Sequence, residues 1–134
     1  MRPAALEHYR VSMRIEGVGG TRILFLETDG PALSTAEETS DLIGNAWFEH
    51  VGVVAIPVER IDPAFFDLSS QFAGQFAQKA VNYRVTVAVI GDIGAFESRS
   101  AAFRDFVWES NRGEHIWFVP DEATLTGKLA TRAV

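Results

Sequence analysis

At 134 residues, 47% apolar and 22% charged, the chain has the length and composition of one globular domain able to bury a real core. Twelve basic residues against eighteen acidic ones give a formal charge of −6, and no basic stripe exists to neutralise phosphates, which argues against nucleic acid as a partner. No cysteine is present, so disulfides, thiolate catalysis and Cys-ligated metals are excluded. No apolar run approaches membrane-spanning length and no apolar signal region follows Arg2, so the expectation is a cytoplasmic protein without a membrane partner.

Tyr9, Val11, Met13 and Ile15 alternate with Arg10, Ser12, Arg14 and Glu16, the period of a half-exposed strand. Gly17-Val18-Gly19-Gly20 then turns the chain into a second strand, Thr21–Glu27. That strand is more continuously apolar and belongs further inside the sheet, which makes the first the edge. Asp29-Gly30-Pro31 breaks it. Ser34-Thr35-Ala36-Glu37 reads as a capping box opening a helix to about Glu49, with Ile43, Ala46 and Trp47 on one face.

The stretch from Val51 to Asp92 organises the rest. It reads as a strand to Ile56, a break over Pro57–Pro63, a Phe-rich helix over about Phe65–Val81 and a strand over Val85–Ile90. In helical projection Asp67, Gln71, Gln75, Gln78 and Asn82 form a narrow polar stripe. Phe65, Leu68, Phe72 and Phe76 make a large apolar face, and Ser70, Ala73, Gly74, Ala77 and Val81 a small one. This arc is about twice the ~100° that a surface helix needs. It must be covered by a neighbouring helix or by another molecule, a homodimer through this second helix being the form the latter takes.

Beyond Gly91-Asp92-Ile93-Gly94 a third helix is expected over about Ser100–Asn111 with Phe103, Phe106 and Val107 inward, stopped by Asn111-Arg112-Gly113 through the left-handed conformation. A last strand follows at His115–Val119, and Asp121 caps a terminal helix through Leu129. The order β-β-α-β-α-β-α-β-α predicts an α/β fold: one domain over residues 1–134, core about 9–130, with a mixed sheet of about five strands and helices packed mainly on one face.

Nothing in these residues identifies a reaction. Open α/β sheets place ligands at the C-terminal ends of parallel strands, which here carry Glu59, Arg60, Asp92 and Asp121, while the helix starts carry Asp67, Ser69, Ser70, Ser98 and Ser100. Free N–H groups at helix starts can hold phosphate or carboxylate, but these residue types are also the ordinary N-caps. Glu59, Asp67, Ser69, Ser70, Asp92 and Ser98 are the binding or regulatory candidates. No catalytic residue, cofactor or metal site is assigned: His8, His50 and His115 lack ligand spacing, G-x-S-x-G is absent, and Gly91–Gly94 is neither a Walker loop nor a dinucleotide fingerprint. Trp47, Trp108 and Trp117 suit core or interface packing, with Trp108 expected to cover a helix–helix seam.

Several stretches together carry a resemblance: Pro63-Ala-Phe-Phe-Asp-Leu68, Ala73-Gly74, Gln78-Lys79, Asn82-Tyr83-Arg84-Val85, Ile90-Gly91-Asp92 and Phe106-Val-Trp-Glu-Ser-Asn111 with Gly113. From about Tyr9 to Leu129 the chain resembles a small uncharacterised bacterial family, domain of unknown function forty-one-eighty, with Gln75 where that family has Glu. This resemblance implies a fold and no activity.

The element order and Asp67-Leu68-Ser69-Ser70 are similar to the STAS domain of anti-sigma-factor antagonists. There a Ser directly after an Asp at this helix start is phosphorylated to switch partner binding; here Leu68 intervenes and the next glycine is Gly74. The resemblance implies a non-enzymatic regulatory or protein-interaction domain, switched at Ser69 or Ser70, where a phosphate would meet the positive end of the helix. The alternative is a small-molecule or nucleotide-binding domain, enzymes included, using Glu59, Asp92 and the helix starts. A purely structural subunit is the third reading.

Overall fold

The computed structural model describes residues 13–132. Five strands, β1 (Met13–Val18), β2 (Thr21–Leu26), β3 (Val53–Pro57), β4 (Thr86–Ile90) and β5 (Ile116–Val119), lie side by side in chain order. The β1–β2 pair is antiparallel and all other pairs are parallel. The helices are α1 (Ala36–Phe48), α2 (Phe72–Tyr83), α3 (Gly94–Arg99), α4 (Ala101–Arg112) and α5 (Glu122–Arg132). The fold is therefore the expected α/β arrangement, with β1 at the edge. Tyr9 and Val11 lie outside the described residues.

The β1–β2 hairpin closes through Gly19 and Gly20, whose φ values of 57° and 83° give the positive-φ pair that a two-residue hairpin turn requires.

Side-chain alternation in the strands builds two cores. Leu24, Leu26, Val54, Ile56, Val87, Val89, Ile116 and Phe118 face α1, α2 and α4, whose Leu42, Ile43, Ala46, Ala73, Phe76, Ala80, Phe103 and Val107 complete the larger core. The intervening residues Ile23, Phe25, Val53, Ala55, Ala88, Trp117 and Val119 face Leu125 and Leu129 of α5 on the other side. Strands buried on both faces read as continuous apolar runs, as β3 to β5 do.

Four local expectations are corrected. The α1 capping box is Thr35 with Glu38, one residue later than Ser34 with Glu37. Leu33 bridges Ile61 in parallel, which keeps the backbone extended as far as Thr35. Hydrogen bonds from the Ser34 backbone first, then from the Ser34 and Thr35 hydroxyls and the Thr35 backbone, hold the Glu38 carboxyl below its ordinary pKa.

The Phe-rich helix begins at Phe72, not Phe65. Residues 63–66 and 68–70 are short 3-10 turns, and Gln71 at φ 68° separates them from α2. In one α-helix the adjacent Phe65 and Phe66 would point ~100° apart. The tighter turns let both enter the core: Phe65 meets Phe72, Phe76 and Phe118, while Phe66 stacks on Phe96 at 4.0 Å and meets Phe103 edge-on.

The α4 stop falls at Arg112 as expected, but Gly113 has φ −96°, so no left-handed residue makes it. Asn111 instead accepts from the Phe118 N–H at 2.7 Å. Trp108 is 58% exposed rather than covering a seam, Trp47 is 56% exposed beside the Tyr83 ring, and Trp117 is buried.

The wide arc of α2 is largely covered from within the chain. The Phe cluster takes Phe72 and Phe76, and α1 packs alongside with Gly44 against the Tyr83 ring. A Cβ placed on Gly74 would meet nothing within 4 Å, and Val81 stays 44% exposed.

Phe65 touches four other phenylalanines from full burial. Phe65→Ala should cost about 3–5 kcal/mol, read as a lowered urea midpoint at unchanged slope.

Candidate functional site

Residues 27–33 and 58–62 run together past the ends of β2 and β3. Leu33 N–H donates to the Arg60 carbonyl at 2.7 Å, and Asp62 N–H to the Leu33 carbonyl at 2.9 Å. Arg60 locks this pair from inside. Its fully buried guanidinium donates to the carbonyls of Pro31 (2.8 Å), Glu27 and Asp29 (both 2.9 Å). No carboxylate opposes it among the described residues, and Nη2 has no partner there. Burying a charged group is costly unless its donors are satisfied, so the 27–31 loop is folded to supply carbonyls. Gly30 is what permits that approach: at φ 127° it lies where a Cβ would fall 2.8 Å from Arg60 Cζ.

The Asp67–Ser70 turn follows directly. Asp67 caps it, accepting from Ser69 N–H at 3.0 Å and from the Ser69 hydroxyl at 2.6 Å. Ser70 is built into the chain: its hydroxyl lies 2.5 Å from the Ala64 carbonyl and 2.7 Å from the Asp67 carbonyl, and it accepts from Phe72 N–H at 3.2 Å. All three residues are exposed, yet their hydroxyls differ. That of Ser69 touches a surface carboxylate and nothing else among the described residues, while that of Ser70 ties the turn to α2. Beside them a cavity of about 330 Å³ is lined by Pro63, Phe66, Asp67, Phe96, Arg99 and Ser100.

The other candidates go elsewhere. Asp92 is exposed, accepts from Gly94 N–H at 2.9 Å, and lines a cavity of about 380 Å³ with Glu97, Asn111, Val107 and Pro120. Glu59 borders a third cavity of about 200 Å³ with Glu27, Glu122 and Gly91. Arg14 reaches Glu16, Glu27 and Glu122 there and lies 4.3 Å over the Phe25 ring. Ser98 turns its hydroxyl back onto the Gly94 and Ala95 carbonyls of α3. Asp121 caps α5 through Thr124, whose hydroxyl and then backbone N–H hold its carboxyl below the ordinary range.

Of the six candidates, Asp67, Asp92 and Glu59 line three different cavities, Ser69 and Ser70 sit in the turn beside the first of these, and Ser98 lies on α3, so they do not form one site. The topology explains it. Strands β2 to β5 follow chain order without reversal, so the sheet has no switch point to open a central crevice. Sequence reasoning missed Arg99 and Glu97 as cavity partners, since α3 was not foreseen. A lone arginine between Pro57 and Ile61, amid buried strand residues, was the available signal for Arg60.

Among the described residues no three His, Asp or Glu side chains gather to hold a metal ion, and no helix is long and apolar enough to cross a membrane. His50 and His115 are exposed, and His8 lies outside the described residues.

A family model described as Domain of unknown function (DUF4180) matches residues 18–129. No curated protein and no solved structure matches the chain.

Gly30→Ala combines a strained φ with a collision against Arg60, so it should destabilise the fold by about 1–3 kcal/mol. Gly17→Ala, with nothing within 4 Å, should change stability by no more than about 0.5 kcal/mol. Chemical denaturation of both variants makes the comparison.

Proposed function

The chain belongs to the DUF4180 family, and on that footing we propose that it is a cytoplasmic, non-enzymatic regulatory or protein-interaction domain of STAS-like organisation. Its protein partner meets the surface around Asp67–Ser70, and Ser69 is the switch. The carrying observation is the contrast between the two serines: the Ser69 hydroxyl is exposed and held by Asp67 alone at 2.6 Å, while Ser70 is engaged with three backbone groups.

A phosphate on Ser69 adds about −1.5 to −2 charges at neutral pH. Placed against Asp67, it expels that carboxylate by like-charge repulsion and removes the cap on Ser69 N–H. Arg99, which lines the same cavity as Asp67, is the cation within that surface. This replaces the expected role of the helix dipole, because α2 starts three residues later, beyond the left-handed Gln71.

Ser69→Asp and Ser69→Ala should fold within about 0.5 kcal/mol of the parent, and Ser69→Asp alone should alter co-purification of a partner isolated with the parent chain. Ser70→Ala should instead lose about 1 kcal/mol of stability by uncapping Phe72. Equal partner recovery with Ser69→Asp and the parent would sink the switch.

A second reading rests on the cavity beside Asp92. It has volume enough for a small ligand, and Asp92 and Glu97 make its lining acidic, which favours a cationic small molecule over a nucleotide. Thermal-shift measurements with amines and nucleotides separate the two: amines should raise the melting temperature, and no shift by any compound removes this reading.

A further inference from the structure

The end of the helical layer opposite Asp67–Ser70 carries a second surface. Since β2, β3 and β4 are parallel, the connecting helices α1 and α2 both run against them and end together. There Trp47 and Phe48 are 56% and 53% exposed, and the Trp47 ring lies 6.1 Å from that of Tyr83. Asp41 stands two turns before Phe48 on the same helical face, about 10 Å along the axis, with Glu37 one turn further. No lysine or arginine occurs in α1, and none occupies its last turn. At this end Arg22 donates to the Glu49 carbonyl at 2.6 Å, Arg84 lines a cavity with Thr86, Glu114 and His115, and Lys79 stands one turn before Tyr83 on α2.

The chain itself shows how such a ring is covered. Trp108, equally exposed at the end of α4, carries the Arg112 guanidinium 4.4 Å above its face, and Lys128 donates to the neighbouring Asn111 carbonyl at 3.0 Å. Trp47 carries no such cation among the described residues.

We infer that the Trp47–Phe48 surface docks a basic segment of a protein partner, with an apolar anchor and a stacked cation on the two rings and further cations along Asp41 and Glu37. Cation–π stacking and the negative helix C-termini both favour positive charge at this place. The exposed face of α1 that leads to these rings carries Glu37 and Asp41 and no lysine or arginine. A second copy meeting this face would bring the same acidic stripe against itself, which favours the basic partner over self-association. The inference stands apart from the Ser69 reading.

A synthetic amphipathic peptide with arginines on one face and leucines on the other serves as probe, with its glutamate counterpart as control. Calorimetric titration should detect the arginine peptide and not the glutamate one, with affinity falling as salt rises. Trp47→Ala should weaken it by about tenfold or more, and Trp108→Ala should leave it unchanged. Both substituted sites are exposed, so circular dichroism should report an unchanged fold. No binding, equal binding to Trp47→Ala, or equal binding of both peptides overturns the inference. So does a sedimenting dimer that Trp47→Ala dissociates, which would assign the surface to a second copy.

Discussion

Two adjacent phenylalanines, Phe65 and Phe66, must both leave water, and no single helical face can hide both. The chain between β3 and α2 is shaped by that demand. It abandons the α-helix for two tight turns, sends Phe65 toward α2 and β5, and sends Phe66 under α3 and α4. Edge-to-face contacts through this layer join α2, α4 and β5 around Phe65 and Phe103, and the stack of Phe66 on Phe96 adds α3. The exposed Asp67–Ser70 turn is what remains on the surface once the rings are placed. Its geometry is thus a by-product of core packing, which gives Ser69 a fixed position without any need to bury it.

A second constraint acts beside it. Arg60 is buried without a carboxylate among the described residues, and its Nε and Nη1 donors are met by three carbonyls of one loop while Nη2 has no partner there. A charge satisfied in this way fixes loop conformation more than it adds stability, since removing water from a guanidinium offsets much of what the hydrogen bonds return. The result is a stiff rim over the ends of β2 and β3. With strands in chain order no switch point opens one central crevice, and the strand ends carry separate cavities beside β4 and β5 and beside β2 and β3. Polar groups are displaced to the margins, beside α3 and around Arg14.

The edges and helix ends follow the same logic of answering exposed groups from within. Asn111 occupies the Phe118 N–H on the edge strand β5, where an open backbone invites pairing with another chain. Arg112 covers Trp108 and Lys128 serves the α4 terminus. Against that background Trp47 and Phe48 stand out as exposed rings with no cation over them among the described residues, on a helix that carries Glu37 and Asp41 and no lysine or arginine.

How much of this was legible in the residues depends on whether the signal was periodic. The strands, the edge position of β1 and the α/β class follow from apolar runs and alternation, because burial on one or two faces writes a period directly into the chain. The helix at Phe72–Tyr83 was legible, but its start was not. Phe65, Leu68, Phe72 and Phe76 match helical spacing by coincidence, and only packing against Phe96 and Phe118 decides that Phe65 and Phe66 arrive through tighter turns. The capping box slipped by one residue because adjacent hydroxyls at Ser34 and Thr35 are equivalent until Leu33 bridges Ile61. Asp67, Ser69, Ser70 and Asp92 were visible as polar residues at element ends. Their separation into distinct cavities was not, since distances across the sheet depend on strand order and on side chains such as Arg99 and Asn111 that come from elsewhere in the chain. Local chemistry determined the elements; long-range packing decided which polar groups meet.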